Sequence, residues 1–387
     1  MKKGLIVLIF IFAVGLIFRF YRLGDVPSGL HRDEAFLGYN AYSIFKTTRD
    51  ISGNFLPLHL ESFLFSPALY SYFSIPFIAL FGLSAFSTRF ASAMFGSFTI
   101  LVTYFLAKEL FSNPRLRGLK IENLKMEVPI IAAVMLAISP WHMNLSRTAT
   151  ENVIAVFFIS VGVLLYLLWI RKKKWYLLVS SFFAFGITLL VYQAPRAFLP
   201  LFFPFLAILF IDLKIDRKRI MQSFMLFAAF IILPLLFIFS SKDLSLRMRT
   251  VSIFATDGTQ LTLDQQLRED GVLGVPTLFG RVFHNKIVGY SAQFFQNYFK
   301  HFSYDFLFTD QGFPDRYRVP LLGLLYLFEL PFLFFGAWGL IRERRKTAIF
   351  LLGWIILSPI LLFHEFATVR FDKRVKMWCD SIPAYVN

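Results

Sequence analysis

Nine apolar runs, each about as long as a bilayer is thick, constrain this chain more than any motif in it. They fall at about 4–20, 86–107, 128–142, 151–170, 175–192, 196–213, 220–240, 319–341 and 347–363. None carries the polar stripe that a helix on a soluble core would show. Hydrocarbon offers backbone N–H and C=O groups no partner outside a helix or a closed barrel, so the expected fold is an all-α polytopic membrane bundle of about nine spans. Hydrophobic residues make up 57% of the 387 positions, and Phe alone occurs 51 times. That composition excludes a soluble core.

The charges give the bundle an orientation. The net charge of +16 sits largely in short clusters between apolar runs: Lys2-Lys3, the loop from Lys108 to Lys125, Arg171 to Lys174, Lys214 to Arg219 and Arg342 to Lys346. Clusters of this kind mark cytoplasmic loops, so they do not indicate nucleic acid. The ambiguous stretch 61–82 holds Pro67 and Pro76. Read as a span, it would put every later cluster outside. Read as a surface-lying or re-entrant helix, it leaves all five inside together, with the amino terminus cytoplasmic. Leu5 to Phe18 reads as a signal anchor, because Arg19-Phe20-Tyr21-Arg22 follows it in place of a cleavage site. Cys379 is the only cysteine, which excludes an intrachain disulfide and a thiolate metal cluster.

On this topology residues 1–363 form one membrane module. Its first outer loop spans 21–85 and its large outer loop spans 241–318. Residues 364–387 read as an irregular tail, the mark of a truncation or a frameshift.

The polar residues of the outer face come from separate turns. The first loop supplies His31, Asp33, Glu34, Arg49 and Asp50; the helix after it supplies Arg89. Later turns supply Arg147 and Glu151, then Tyr192 and Arg196. Taken singly, each has an ordinary structural reading. Asp33 is a good helix N-cap, and arginines at span ends snorkel to the interface. Together they are the equipment for moving a group off a phosphate-bearing lipid. Arginine forks bind phosphate oxygens, and a carboxylate takes the proton of a hydroxyl or amine nucleophile. Outer-face carboxylates could also hold a divalent cation, Mg or Mn, which the sequence does not demand.

The order of these pieces resembles a family. The run His31-Arg32-Asp33-Glu34-Ala35 to Tyr39-Asn40-Ala41 is similar to the acidic first-loop motif of lipid-carrier-dependent glycosyltransferases of the GT-C fold. Within these, the similarity is to the dolichyl-phosphate-mannose protein mannosyltransferase and aminoarabinose transferase superfamily. It continues through Ser66-Pro67-Ala68-Leu69-Tyr70, Ser87 to Ala93, Ser139-Pro140-Trp141-His142 to Glu151, Tyr192 to Arg196, His301 to Phe308 and Leu325 to Phe332.

The resemblance implies a polyprenyl-phosphate sugar donor and inverting displacement. It makes Asp33 the base with Glu34 assisting, and it puts the lipid phosphate on Arg89, Arg147 or Arg196. It also implies a site on the outer face, in the setting of a prokaryotic plasma membrane. A protein or a glycolipid would be the acceptor, and the sugar stays open. Some relatives carry a lysine just before the proline of the second element, where this chain reads Phe65-Ser66-Pro67. Two other readings remain beside the transferase: a lipid-linked sugar transporter or flippase, and an inactive truncated copy. The first would favour ionisable pairs at mid-membrane, whereas these charges gather at the faces.

Overall fold

A computed structural model describes residues 2–61, 66–112, 127–211, 217–240, 265, 285–309, 312, 317–343 and 345–359. The tail at 364–387, the basic loop over 113–126 and most of the large loop over 241–284 lie outside the described residues. Contacts divide the chain into two units, one of residues 1–247 and 299–361 and the other of 248–298 and 362–387.

The first unit is almost wholly helical. In chain order it contains α1 (Lys2–Phe20), α2 (Arg32–Thr47), a two-residue hairpin of β1 (His59–Leu60) and β2 (Ser66–Pro67), α3 (Leu69–Phe81), α4 (Ala85–Ser112), α5 (Glu127–Ile138), α6 (Pro140–Ser146), α7 (Glu151–Lys172), α8 (Trp175–Val191) and α9 (Ala194–Phe210). Then come α10 (Arg217–Phe227), a π turn at Ala228–Ile232 and α11 (Leu233–Ser240). The second unit contributes most of α12 (Lys286–Lys300). The first resumes with α13 (Tyr304–Phe308), α14 (Glu329–Glu343) and α15 (Arg345–Leu357).

Among the described residues three helices are long and apolar enough to cross a membrane: Ala85–Phe111, Glu151–Lys172 and Arg217–Ser240. The run expected at 128–142 is a broken helix. Pro140 follows Ser139 at the start of α6, and α5 and α6 meet at 54°. A proline inside a helix removes one ladder hydrogen bond and clashes with the preceding turn, which accounts for the break. The apolar helices at 4–20, 175–191, 194–210 and 346–357 are shorter than 18 residues. Helix α3 has 13 residues and rises about 20 Å, against a hydrocarbon core of about 30 Å.

The run expected at 319–341 departs from a span. Its helix begins only at Glu329. The segment before it is tied to the bundle: Leu325 N donates to Leu307 O at 2.9 Å, the Tyr326 hydroxyl to Ile138 O at 3.0 Å, and Trp141 N to Leu324 O. These bonds hold the segment's backbone against the α5–α6 bend, while several of its apolar side chains stay exposed, Leu321 at 97% and Leu327 at 57%.

Among the described residues three apolar clusters hold the bundle, the smallest joining α1, α4 and α5 around Leu8, Ile100 and Ala133. Another is aromatic and joins α7 to α11 with α15. Phe182 meets Phe203 edge-on at 4.9 Å, and Phe203 stacks on Phe227 at 4.7 Å. Glu109 on α4 pairs with Arg171 on α7 at 2.9 Å, beside the basic cluster. The third cluster lies under the first loop. Leu37 and Ile44 of α2, Leu60, Tyr70, Ala91, Ala149, Ile154 and Val191 pack together. It fixes α2, the hairpin, α3 and the 147–150 turn against α4 and α7, and so positions the candidate site.

Candidate active site

The site is built on the start of α2. His31 is the N-cap in extended backbone, and its Nδ1 accepts the Asp33 N–H at 3.2 Å. An accepting Nδ1 leaves the proton of the neutral ring on Nε2. Glu34 reaches back to the His31 N–H at 2.9 Å, completing a capping box.

Glu34 does far more than cap. It is buried, and Arg89 of α4 meets it as a fork: Nε donates to Oε1 and Nη2 to Oε2, both at 2.9 Å. The Ala149 N–H adds a 2.7 Å bond to Oε1. Burial alone would raise the Glu34 pKa. The Arg89 hydrogen bonds, the Ala149 and His31 N–H groups and the Arg89 charge outweigh that, and hold it below the ordinary carboxylate value.

Arg89 is equally committed. Nη1 donates to Leu23 O and Pro27 O, and Nη2 also donates to Gly29 O. A guanidinium has five N–H bonds, and all five are used. The pair thus ties α2, α4, the loop over 23–29 and the turn at Ala149 into one block. In this arrangement Arg89 has no N–H left for a phosphate, although its charge remains.

Asp33, one residue away, is far less buried than Glu34. Its side chain is 44% exposed, with a carboxylate oxygen 3.9 Å from His31 Nδ1. Arg32 beside it is exposed as well. Near His31, the Tyr317 ring lies 6.1 Å away at an edge-on angle, and Asn144 Nδ2 donates to Tyr317 O. The segment around 317 therefore belongs to the same corner of the unit as the capped end of α2.

The other arginines hold carbonyls. Arg147 Nη1 donates to Phe18 O at 2.7 Å, and Nη2 to Tyr21 O and Val26 O. It so satisfies orphan carbonyls where α1 ends. Burial, then the nearby Arg89 charge, lowers its pKa. Arg196 is buried, with Nε on Leu189 O and Nη2 2.6 Å from His59 Nε2. Burial first and the Arg196 charge second push His59 down to about 4, so His59 is neutral and accepts from the guanidinium.

Arg49 and Asp50 fold their own loop. Arg49 donates to Gly53 O. Asp50 accepts the Ser52 and Asn54 N–H groups and the Asn54 side-chain amide. Glu151 opens α7 half-buried, and Tyr192 ends α8 half-buried. The structure thus joins His31, Glu34 and Arg89 directly and sets Asp33 beside them. It places Arg49 with Asp50, and Arg196 with His59, in constellations of their own.

Sequence reasoning misses two groups. Arg19 is fully buried and donates to Leu136 O, Ala137 O and His142 Nδ1, locking α1 to the α5–α6 bend. An arginine at the end of an apolar run carries the signal of a snorkelling cation, which hides this role. His142 is likewise buried, its Nδ1 taken by Arg19. Tyr70 donates to Thr88 O at 2.9 Å from α3. Burial raises its pKa, and the Glu34 and Glu151 charges add to that.

A group of three or more His, Cys, Asp or Glu side chains placed to hold a metal ion does not occur among the described residues. A search of curated proteins finds no match to the chain. Residues 66–238 match the model of the dolichyl-phosphate-mannose-protein mannosyltransferase family. That stretch includes the elements at Ser66-Pro67, Ser87 to Ala93, Ser139 to Glu151 and Tyr192 to Arg196, and begins after Asp33-Glu34. The chain is an integral membrane protein that resembles, over these residues, the dolichyl-phosphate-mannose-protein mannosyltransferases, a family of glycosyltransferases.

Proposed function

We propose that the chain transfers a sugar from a polyprenyl-phosphate donor to an acceptor at the outer face of the membrane, with Asp33 as the base. One observation carries this reading: of two adjacent carboxylates, Glu34 is locked by Arg89 while Asp33 stays accessible on the same rigid helix start. A structural N-cap would not need the second block of contacts. A catalytic carboxylate does, because its position must hold within a fraction of an ångström.

Asp33 takes the proton from the acceptor hydroxyl or amine as that group attacks the anomeric carbon. The bond from that carbon to the phosphate oxygen breaks, inverting the centre, and the carrier phosphate leaves with the electron pair. Charge grows on the phosphate. Arg147 lies close enough to Arg89 to feel its charge, and Glu34 offsets one of these two positive charges, which leaves a positive field near the start of α2. That field favours the leaving phosphate even where the N–H groups are engaged. In this reading Glu34 and Arg89 are positioning residues and Arg147 and the exposed Arg32 face the lipid phosphate. Arg196 and Tyr192 border the donor path. The basic clusters support a cytoplasmic amino terminus.

The test is reconstitution of the full chain in vesicles with a polyprenyl-phosphate-linked mannose carrying a radiolabel. Release of label from the carrier to an added acceptor peptide or glycolipid is the expected result. A chain that flips the labelled lipid across the bilayer without cleaving it would overturn the reading.

A further inference from the structure

The second unit contains one helix whose chemistry the transferase reading leaves unused. Over Lys286–Lys300, α12 divides cleanly by helical angle. At 100° per residue, Ile287, Val288, Phe294, Phe295, Tyr298 and Phe299 fall within one half of its circumference. Gln293, Gln296 and Asn297 share the other half with Lys286 and Lys300. The helix has no acidic residue. None of its residues is buried; Ile287 is 81% exposed and Phe299 63%.

We propose that α12 lies in the plane of the membrane interface, with its aromatic face in the headgroup–acyl boundary and its lysines on anionic headgroups. Three observations select the bilayer over a protein partner. The chain is an integral membrane protein, so a lipid interface lies close to any segment tethered at both ends to it. The apolar half is aromatic, with Phe294 stacked against Tyr298 at 6.4 Å and packed edge-on to Phe295, and aromatic rings are the residues that settle at the interface. Lysines stand at both ends with no carboxylate on the helix itself, which complements an anionic leaflet. The helix cannot span, because 15 residues rise about 22 Å and one half is polar. A site that consumes a lipid-borne donor gains from a loop anchored at the depth of that donor's headgroup.

The test uses the full chain with Cys379→Ser, which removes the only cysteine. Single labels go on Ile287→Cys, Phe295→Cys and Gln296→Cys. The spin-labelled protein is placed in phosphatidylcholine vesicles with a minority of phosphatidylglycerol. Accessibility to oxygen is then compared with accessibility to a water-soluble nickel complex. The labels at 287 and 295 should show an oxygen-to-nickel ratio several-fold above that at 296. Equal ratios at all three positions would put the helix in water and overturn the proposal. Shielding of 287 and 295 from both probes would show a face packed on protein, and would overturn it too. Neither readout depends on transfer activity.

Discussion

Arg89 and Glu34, 55 residues apart in the chain, form a buried two-point ion pair in which every N–H of the arginine is spent. A buried pair of this kind is worth less than the cost of breaking it from one side, because the survivor keeps its charge without a partner. Glu34→Gln or Arg89→Met alone should each destabilise the protein by about 3–5 kcal/mol. The double variant should lose clearly less than the sum. Thermal unfolding of the four proteins in one detergent gives the cycle, and additive losses would mean the two side chains are not coupled.

Asp33→Asn should behave in the opposite way. The side chain is 44% exposed, so stability should change far less than in the Glu34 and Arg89 variants. Sugar transfer should fall by about 10²- to 10⁴-fold, the usual worth of a positioned base. Wild-type transfer by this variant would remove Asp33 from the mechanism.

The contrast between these neighbours shows where sequence reading reaches its limit. Hydropathy gives the helices, because a lipid-facing helix needs only a long apolar run. The run at 128–142 reads as one span, although Pro140 opens a second helix bent by 54° from the first. Apolarity alone does not report helix, so the segment 319–328 reads as the start of a span although it is non-helical and hydrogen-bonded to the bend at Ile138 and Trp141. The acidic pair is legible as a pair, and its division of labour is not. Which carboxylate is locked depends on Arg89 and on the Ala149 N–H 115 residues away. Arg19 and His59 are hidden for the same reason, since their partners come from distant turns.

His59 gives a pH signature. Its ordinary value is 6.5, and in the folded protein burial and Arg196 push it down to about 4. Between those values the unfolded chain binds the proton and the folded one does not. Stability is therefore full above about pH 6.5 and falls as pH drops toward 4, with a loss capped at roughly 3 kcal/mol. His59→Gln keeps an acceptor for Arg196 and removes the titration. Its melting temperature should fall less than that of wild type between pH 7 and pH 4.5. Parallel curves for the two proteins would show that another group sets the acid sensitivity.

Gly38 tests whether the seat of α2 matters to the chemistry. A Cβ built there would lie 2.5 Å from Thr88 Oγ1 and 2.8 Å from Thr88 Cγ2, so α2 and α4 touch at a point that admits no methyl group. Thr88 is buried beside Arg89, and its hydroxyl has no hydrogen-bond partner among the described residues. Gly38→Ala should cost about 1–3 kcal/mol through overpacking. It should also lower transfer, because displacing α2 moves Asp33 relative to the block built on Arg89. Thr88→Ala opens the space and removes an unsatisfied hydroxyl. Gly38→Ala combined with Thr88→Ala should therefore recover most of both losses. Recovery of stability without recovery of transfer would mean that Asp33 does not depend on how α2 seats against α4.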